Sequence, residues 1–581
     1  MRPYLGKSAG LKNIYEKLCR LHGYTRERPF ISMVIEELNK SWDDKNIFVI
    51  EAPTGYGKSS ITATIALKAY EEGGKLIVSL PMRTLLEDQF DKLKEVLPAA
   101  EGVMGKRYMH EHSSPYLIKP ITLTTIDTLS LTMFGLAPED LDKVIKGWRD
   151  SLGTIEGTSG HYLFSQSSVI CSDIVLDEVH LLSDETKSLT YLLTLLLHAI
   201  DYDQKVVLMS ATIPQKLKDE LRNKLYRYED KIEWFEFDPS IDDKFLQDRL
   251  SKKYEIKLKQ LSMKNGWCEE IKGWVSEGWE VGYRRVLVVF NTVHEAITFY
   301  EFVKNDFKNV LLLHSRFTES DKKGKHEMLR RLRVEKEYVI VGTQSVEAGI
   351  DISSNLLITD LAPAHTLVQR FGRFLRYDGE IEGLAYIWKS DEVSGRRYKV
   401  YDEDLCKETY EFIKAHSGEL NLHIPTIPDG GAEARYSDYK ELIDRVYRLV
   451  EIDVDAKEIE SMLRAFTNLH SIADAVEKFF EYGGSFIRES PLIPVQVESV
   501  SEPIPVSFHT FSKLWKSGRV KGLVKEGKGG VVGEPIGAAN LFLRNPRDLI
   551  KFIYSEGIRS FIVEGEYSEE SGLRITGDAE E

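Results

Sequence analysis

The chain has 581 residues, of which 42% are hydrophobic and 29% charged, with a formal net charge of -15. Such a length excludes one ordinary domain and implies two to four. The acidic balance excludes a surface coated in basic charge but leaves room for a local basic groove that binds nucleic acid. Four cysteines, Cys19, Cys171, Cys268 and Cys406, lie too far apart for a C-x-x-C metal or redox motif and read as free, buried thiols. The N-terminal "MRPYLGKSAGLKN" lacks the apolar core of a signal peptide. The longest apolar run, "YLLTLLLHAI" (Tyr191 to Ile200), is too short to span a bilayer and reads as a buried helix. A cytoplasmic protein with no membrane partner is expected.

In chain order, "NIFVIE" reads as a strand, followed by the glycine loop "EAPTGYGKSS" and by "KSSITATIALKAYEEGG", a helix stopped by glycines. "KLIVSL", "DIVLDE" and "KVVLMS" are further short, continuously apolar runs, as strands buried on both faces of a parallel sheet require. From Glu233 to Arg284 the chain is charged and contains tryptophans without a clear strand pattern, and reads as helical and interdomain. The earlier grammar then returns in "RVLVVFN", "NVLLLHS", "YVIVGT", "LLITDLA" and "GLAYIWK". Two such sets predict an α/β fold with two tandem doubly wound parallel-sheet domains. After Pro425 the style changes. "ELIDRVYRLVEI" and "IESMLRAFTNLHSIADAVEKFFEY" read as helices, "PLIPVQVESVSEPIPVSFHTF" as edge strands and turns, and "KEGKGGVVGEPIG" as a flexible hairpin loop. The expected domains are 1–235, 236–425 and an accessory α+β domain, 426–581. The acidic tail "EGEYSEESGLRITGDAEE" is expected to fray.

The loop nearly fits the phosphate-binding pattern G-x-x-x-x-G-K-[ST], with Ala52 in place of the first glycine. Gly55 and Gly57 supply backbone freedom for N–H groups that face an anion. Lys58 suits the β- and γ-phosphates and Ser59 a Mg²⁺ ion, with Thr54 and Ser60 flanking them. The strand "DIVL" ends in Asp177-Glu178, where open α/β sheets place their sites. The first carboxylate suits Mg²⁺ and the second can orient or deprotonate an attacking water. His180 follows at coupling distance, and Ser210 and Thr212 of "LMSATIP" end another strand. In the second set, "GTQSVEAGIDIS" carries Gly349 and Asp351. "QRFGRFLR" carries Gln369, Arg373 and Arg376, which share one face if helical. Arginine forks there suit the spread negative charge of a phosphoryl group, completing an ATP site built mainly by the other domain.

Taken together, Lys58, Asp177-Glu178, Ser210-Ala211-Thr212, Gly349-Ile350-Asp351 and Gln369 to Arg376 resemble superfamily-2 DExH helicases, and "APTGYGKS" matches their A-x-T-G-x-G-K-[ST] loop. "LPMRTLLEDQF", "TTIDTL", "LDEVHLL", "LLHSRFTESDKKGK" and "SVEAGIDIS" resemble the helicase of type I CRISPR interference. The resemblance implies two RecA-like domains, ATP and Mg²⁺ as cofactors, and a nucleic-acid-stimulated ATPase, recruited by Cascade, that translocates 3′ to 5′ on single-stranded DNA. No His-Asp dipeptide occurs and few residues precede the loop, so a stand-alone form with a separate HD nuclease is expected. Ile31 takes the place of an adenine-reading glutamine, which leaves base selectivity open. The resemblance puts the strand on Arg83, Thr84, Thr124, Thr125, Asn291, Thr292, Ser315, Arg316 and Thr343, groups suited to phosphate oxygens. A DNA-repair or RNA-remodelling helicase and a non-hydrolysing ATP-gated clamp stand as other readings.

Overall fold

A computed structural model describes residues 10–21, 27–97, 100–108, 111–150, 161–182, 186–263, 266–347, 350–390, 400–416, 418, 420–425, 438–452, 454–467, 472–488, 490–525 and 545–575. The chain divides into two compact units, one of residues 1–242 with 451–489 and one of residues 243–450 with 490–581. The span read as one accessory domain is thus shared between the two.

The first unit is built on seven strands: β1 (Ile47–Glu51), β2 (Leu76–Leu80), β3 (Met104–Arg107), β4 (Ile121–Thr125), β5 (Asp173–Leu176), β6 (Val206–Ser210) and β7 (Ile232–Glu236). They form one parallel sheet in the order β3-β4-β2-β5-β6-β1-β7. Strands β1, β2, β4 and β6 are buried at every position; β1, β2 and β6 accordingly run mostly apolar without alternation, while β4 (ITLTT) buries threonines between its apolar residues. The second unit holds β8 (Lys253–Leu261), β9 (Arg285–Val289), β10 (Val310–Leu313), β11 (Tyr338–Gly342), β12 (Leu356–Asp360) and β13 (Glu382–Ser390), parallel in the order β10-β11-β9-β12-β13-β8. Two large apolar clusters, one around Phe371 and Tyr447 and one around Phe290 and Trp388, fill its interior.

The expected pair of parallel α/β sheets is present. The stretch from Glu233 to Arg284 is a correction: it contributes most of β7 and all of β8, a nine-residue edge strand along β13. Its alternation was hidden because "KYEIKLKQL" sets lysines between its apolar residues, as edge strands do to blunt further pairing.

In the C-terminal part, β14 (Leu492–Gln496), β15 (Ile504–Ser507), β16 (Val520–Lys525) and β17 (Ile558–Val563) make a mixed sheet ordered β15-β14-β17-β16. Here β14 runs parallel to β17 and antiparallel to β15, which forms an edge. The tail expected to fray instead holds a last hairpin, β18 (Glu566–Ser568) paired with β19 (Gly572–Arg574). The glycine loop after Lys525 lies outside the described residues. The helices Ala456–Thr467 and Ala473–Glu481 belong to the first unit, where Phe466 meets His198 edge-on at 4.1 Å and Phe486 stacks on Phe134 at 4.2 Å. The apolar run at Tyr191 forms the core of the buried helix Thr186–Asp201, and no helix among the described residues is long and apolar enough to cross a membrane.

Candidate nucleotide and nucleic-acid sites

Strands β5, β6 and β1 are neighbours, with Glu51 opposite Ser210 and Leu176 opposite Leu208. The glycine loop, Asp177-Glu178 and Ser210-Ala211-Thr212 therefore leave the carboxyl ends of three consecutive strands. That is where an open parallel sheet forms its crevice.

The loop turns through Gly55 (φ 78°) and Gly57 (φ 109°), conformations that disfavour any side chain with a Cβ. Lys58 is buried and donates to the Ala52 carbonyl at 2.8 Å, curling over the loop, while Ser59 opens the helix Ser59–Glu71. Thr54 is half-buried, Gly55 and Gly57 are exposed, and the Ser60 hydroxyl donates to Gly57 O. Tyr56 points the other way, into the core. Its hydroxyl donates to Asp242 at 3.0 Å and accepts from Phe30 N at 3.3 Å, and Arg28 lies 5.3 Å from its ring. Glu51 is held by Lys218 at 2.5 Å and accepts from Ile213 N at 3.0 Å. Neither anchor was foreseen, because an isolated Glu, Lys, Tyr or Asp carries no spacing signal. Ile31 is fully buried in the helix Pro29–Ser41.

Glu178 adopts φ 54°, a strained value for a non-glycine residue. Asp177 Oδ1 accepts from Glu178 N at 2.9 Å. Burial, then the neighbouring Glu178 carboxylate, push the Asp177 carboxyl up, and Lys58 pulls it back. Glu178 Oε2 lies 3.5 Å from His180 Nδ1, which is 2.8 Å from the Ser210 hydroxyl. Ser210 in turn donates to Thr212 O at 2.9 Å and accepts from Thr212 N at 3.2 Å. The structure thus joins Glu178, His180, Ser210 and Thr212 in one buried run.

In the second unit, the helix Ala364–Phe371 stops before Arg373, a correction to the shared helical face. Gly372 ends it and Leu375 turns at φ 47°, because the following chain pairs with Ser354: Ser354 N donates to Arg373 O and Leu375 N to Ser354 O, both at 2.8 Å. Gln369 is buried in the last helical turn. Arg373 donates to Glu347 O at 2.9 Å and Arg376 pairs with Asp351 at 3.3 Å. Gly349 lies outside the described residues. Arg370, which the motif reading passed over, is fully buried. It donates to Glu347 at 2.8 Å, Thr359 at 2.8 Å and Asn291 at 2.9 Å. It sits next to Gln369 on the helix, so a face-based reading of the arginines could not select it.

The strand candidates divide by exposure. Ser315 is exposed, and Arg83 and Thr84 are half-buried at the start of the helix Arg83–Val96. Thr125 and Thr292 cap helices, accepting from Thr128 N and Glu295 N. Thr124 is fully buried and donates to Arg107 O at 2.7 Å. Asn291 donates to Leu361 O at 2.7 Å, while Arg316 and Thr343 are buried.

Among the described residues no group of three His, Cys, Asp or Glu could hold a metal alone. One hydroxyl and one carboxylate, Ser59 and Asp177, fit Mg²⁺, which keeps its waters and shares its shell with substrate phosphates.

Residues 31–220 match the DEAD/DEAH box helicase family, and residues 282–379 match the C-terminal family of the CRISPR-associated nuclease/helicase Cas3. The chain is 25% identical over 414 residues to the CRISPR-associated helicase Cas3 of Thermoproteus tenax, covering 69% of this chain and 63% of that protein. It is 25% identical over 480 residues to the CRISPR-associated nuclease/helicase Cas3 of Methanothermobacter thermautotrophicus, covering 74% of this chain and 52% of that one. The crystal structure of T. fusca Cas3 with ADP aligns at a TM-score of 0.56 and 17% identity over 85% of this chain and 61% of that chain, a likeness of fold. The chain spans 52% to 63% of the length of three curated relatives.

Proposed function

We propose that the chain is an ATP-driven motor that moves 3′ to 5′ on single-stranded DNA in type I CRISPR interference, with cleavage left to a separate HD nuclease at Cascade-bound target DNA. The observation that carries the ATPase reading is the buried run from Glu178 through His180 to Ser210 and Thr212, set beside the Lys58 loop. It gives hydrolysis a physical route to the body of the domain. The names of the curated relatives support the CRISPR setting.

In this reading the N–H groups of the loop from Thr54 to Ser60 take the phosphates, and Lys58 exchanges the Ala52 carbonyl for phosphate oxygens. Ser59 and Asp177 would hold Mg²⁺, which would neutralise phosphate charge. Glu178 orients the attacking water and accepts its proton. Gln369, Arg373 and Arg376 stabilise the charge that spreads over the transferred phosphoryl group, and Gly349 and Asp351 are assigned to nucleotide binding. Arg83, Thr84 and Ser315 contact the sugar-phosphate backbone, supported by the helix caps Thr125 and Thr292 and by the inner groups Thr124, Asn291, Arg316 and Thr343.

Lys58→Ala is expected to abolish ATPase. Glu178→Gln is expected to bind ATP with near-normal affinity and to turn over about 100-fold or more slower. Normal turnover by purified Glu178→Gln would remove the role given to that carboxylate. Strand displacement and cleavage on a Cascade R-loop, with and without an HD nuclease, test the setting. Stimulation of ATPase by RNA alone would favour an RNA-remodelling helicase.

A further inference from the structure

The hairpin β18–β19 is bound to the loop His314–Thr318, which follows β10 and carries Ser315. Both lie within the second unit. Leu573 N donates to Arg316 O at 2.9 Å, and the two strands thereby add a backbone bond to a loop rather than to a sheet. His314 is buried beneath the hairpin. Its Nδ1 accepts from Arg316 N at 3.1 Å, which leaves Nε2 to donate to Ser571 O at 3.0 Å. Tyr567 reaches the far end of the loop, where its hydroxyl accepts from Thr318 N at 2.9 Å and donates to Asp321. Lys325 donates to Glu570 O at 2.7 Å, and Lys304 pairs with the Glu570 carboxylate at 3.2 Å.

The fit is close at one point. Gly572 has φ 70°, and a Cβ placed there would lie 2.6 Å from His314 Cε1 and 2.7 Å from Arg316 O. No rotamer change relieves a clash with a backbone carbonyl, so glycine is required both by conformation and by space. From the other side, Glu502 accepts from Glu319 N at 2.7 Å and from the Ser320 hydroxyl at 2.8 Å. The loop is therefore tied at His314, Arg316, Thr318 and Glu319 while Ser315 between them stays exposed.

Holding one exposed residue between tied neighbours removes the ordering cost that a strand contact would otherwise meet. We propose that the C-terminal hairpin is a positioning strap that sets the His314–Thr318 loop for single-stranded nucleic acid, with Gly572 and Tyr567 as its positioning residues. The inference rests on the motor reading and on the strand contact given to Ser315.

The test is ATPase measured against rising concentrations of an oligothymidylate, in the full chain and in Gly572→Val and Tyr567→Phe. The expected result is a half-stimulating concentration raised about tenfold in Gly572→Val and about threefold in Tyr567→Phe, which loses the hydroxyl's bonds to Thr318 and Asp321. Unstimulated and saturated rates stay within about twofold, since a ground-state binding loss leaves kcat alone. Tyr567→Phe keeps the ring and guards against a misfolded Gly572→Val. A wild-type chain stimulated by the oligonucleotide, with half-stimulation unchanged in both variants, overturns the strap. A wild-type chain that ignores the oligonucleotide overturns the motor reading and the strap with it.

Discussion

His198 lies in the last turn of the helix Thr186–Asp201 with no exposed surface, packed against Tyr202 and Phe466. Burial pulls its imidazole down from 6.5 to about 4. Between those values the unfolded chain binds a proton that the folded chain refuses, so stability rises with pH across the window and is lost as pH falls through it. The contribution at pH 5 is about 2 kcal/mol. In His198→Leu the difference in urea stability between pH 7 and pH 5 is expected to shrink by that amount. An unchanged difference would show that the ring is protonated in place. Glu178 shows a residue-scale cost of another kind, since its left-handed backbone places the carboxylate beside His180. Such strain costs on the order of 1–3 kcal/mol and is held by bonds from Glu178 N to Asp177 and from Leu181 N to Glu178 O. Lys58, Asp177 and Glu178 were legible because their spacing is local. Arg370, Lys218 and Asp242 were not, since their partners lie far along the chain.

The turn that carries Arg373 is an element with no regular structure of its own. Its shape comes from Phe374, which packs against Gly383 in β13, and from the exchange of bonds with Ser354. A Cβ on Gly383 would lie 2.6 Å from the Phe374 ring and 2.9 Å from Asn355 O. Gly383→Val is expected to cost about 1–3 kcal/mol in urea stability, as overpacking does. It should also lower kcat, because the displaced Phe374 takes Arg373 with it. Lost stability with unchanged kcat would detach the turn from the chemistry. The same element explains why a helical reading of "QRFGRFLR" ran too far: periodicity reports a face, and the pairing with Ser354 that ends the helix is non-local. Strand β8 escaped notice for a related reason, since its lysines mark an edge and an edge exists only once the sheet has formed.

At the scale of the molecule, the chain passes between its two units three times, after Asp242, Val450 and Glu489. The returning segment covers the first unit with Phe466 and Phe486, and Arg488 pairs with Asp127 at 2.8 Å. A fragment of residues 1–242 is therefore expected to aggregate on size exclusion, and fusing residues 451–489 to it should restore a monomer and raise Tm. A stable monomer from 1–242 alone would show that the returning helices are dispensable. Strands β1, β2, β5, β6 and β9 to β13, the glycine loop, the Asp-Glu pair and the arginine motif could be read from the chain, because hydrophobic period and short spacing are properties of neighbouring residues. Folding alone decided that Tyr56 is anchored on Asp242, that Arg370 is an internal clamp, that Thr124 and Arg316 are buried, and that a C-terminal hairpin seals the His314 loop. Each of these depends on contacts between residues well apart in sequence, or on burial that exists only after the sheets have packed, and neither leaves a local pattern to read.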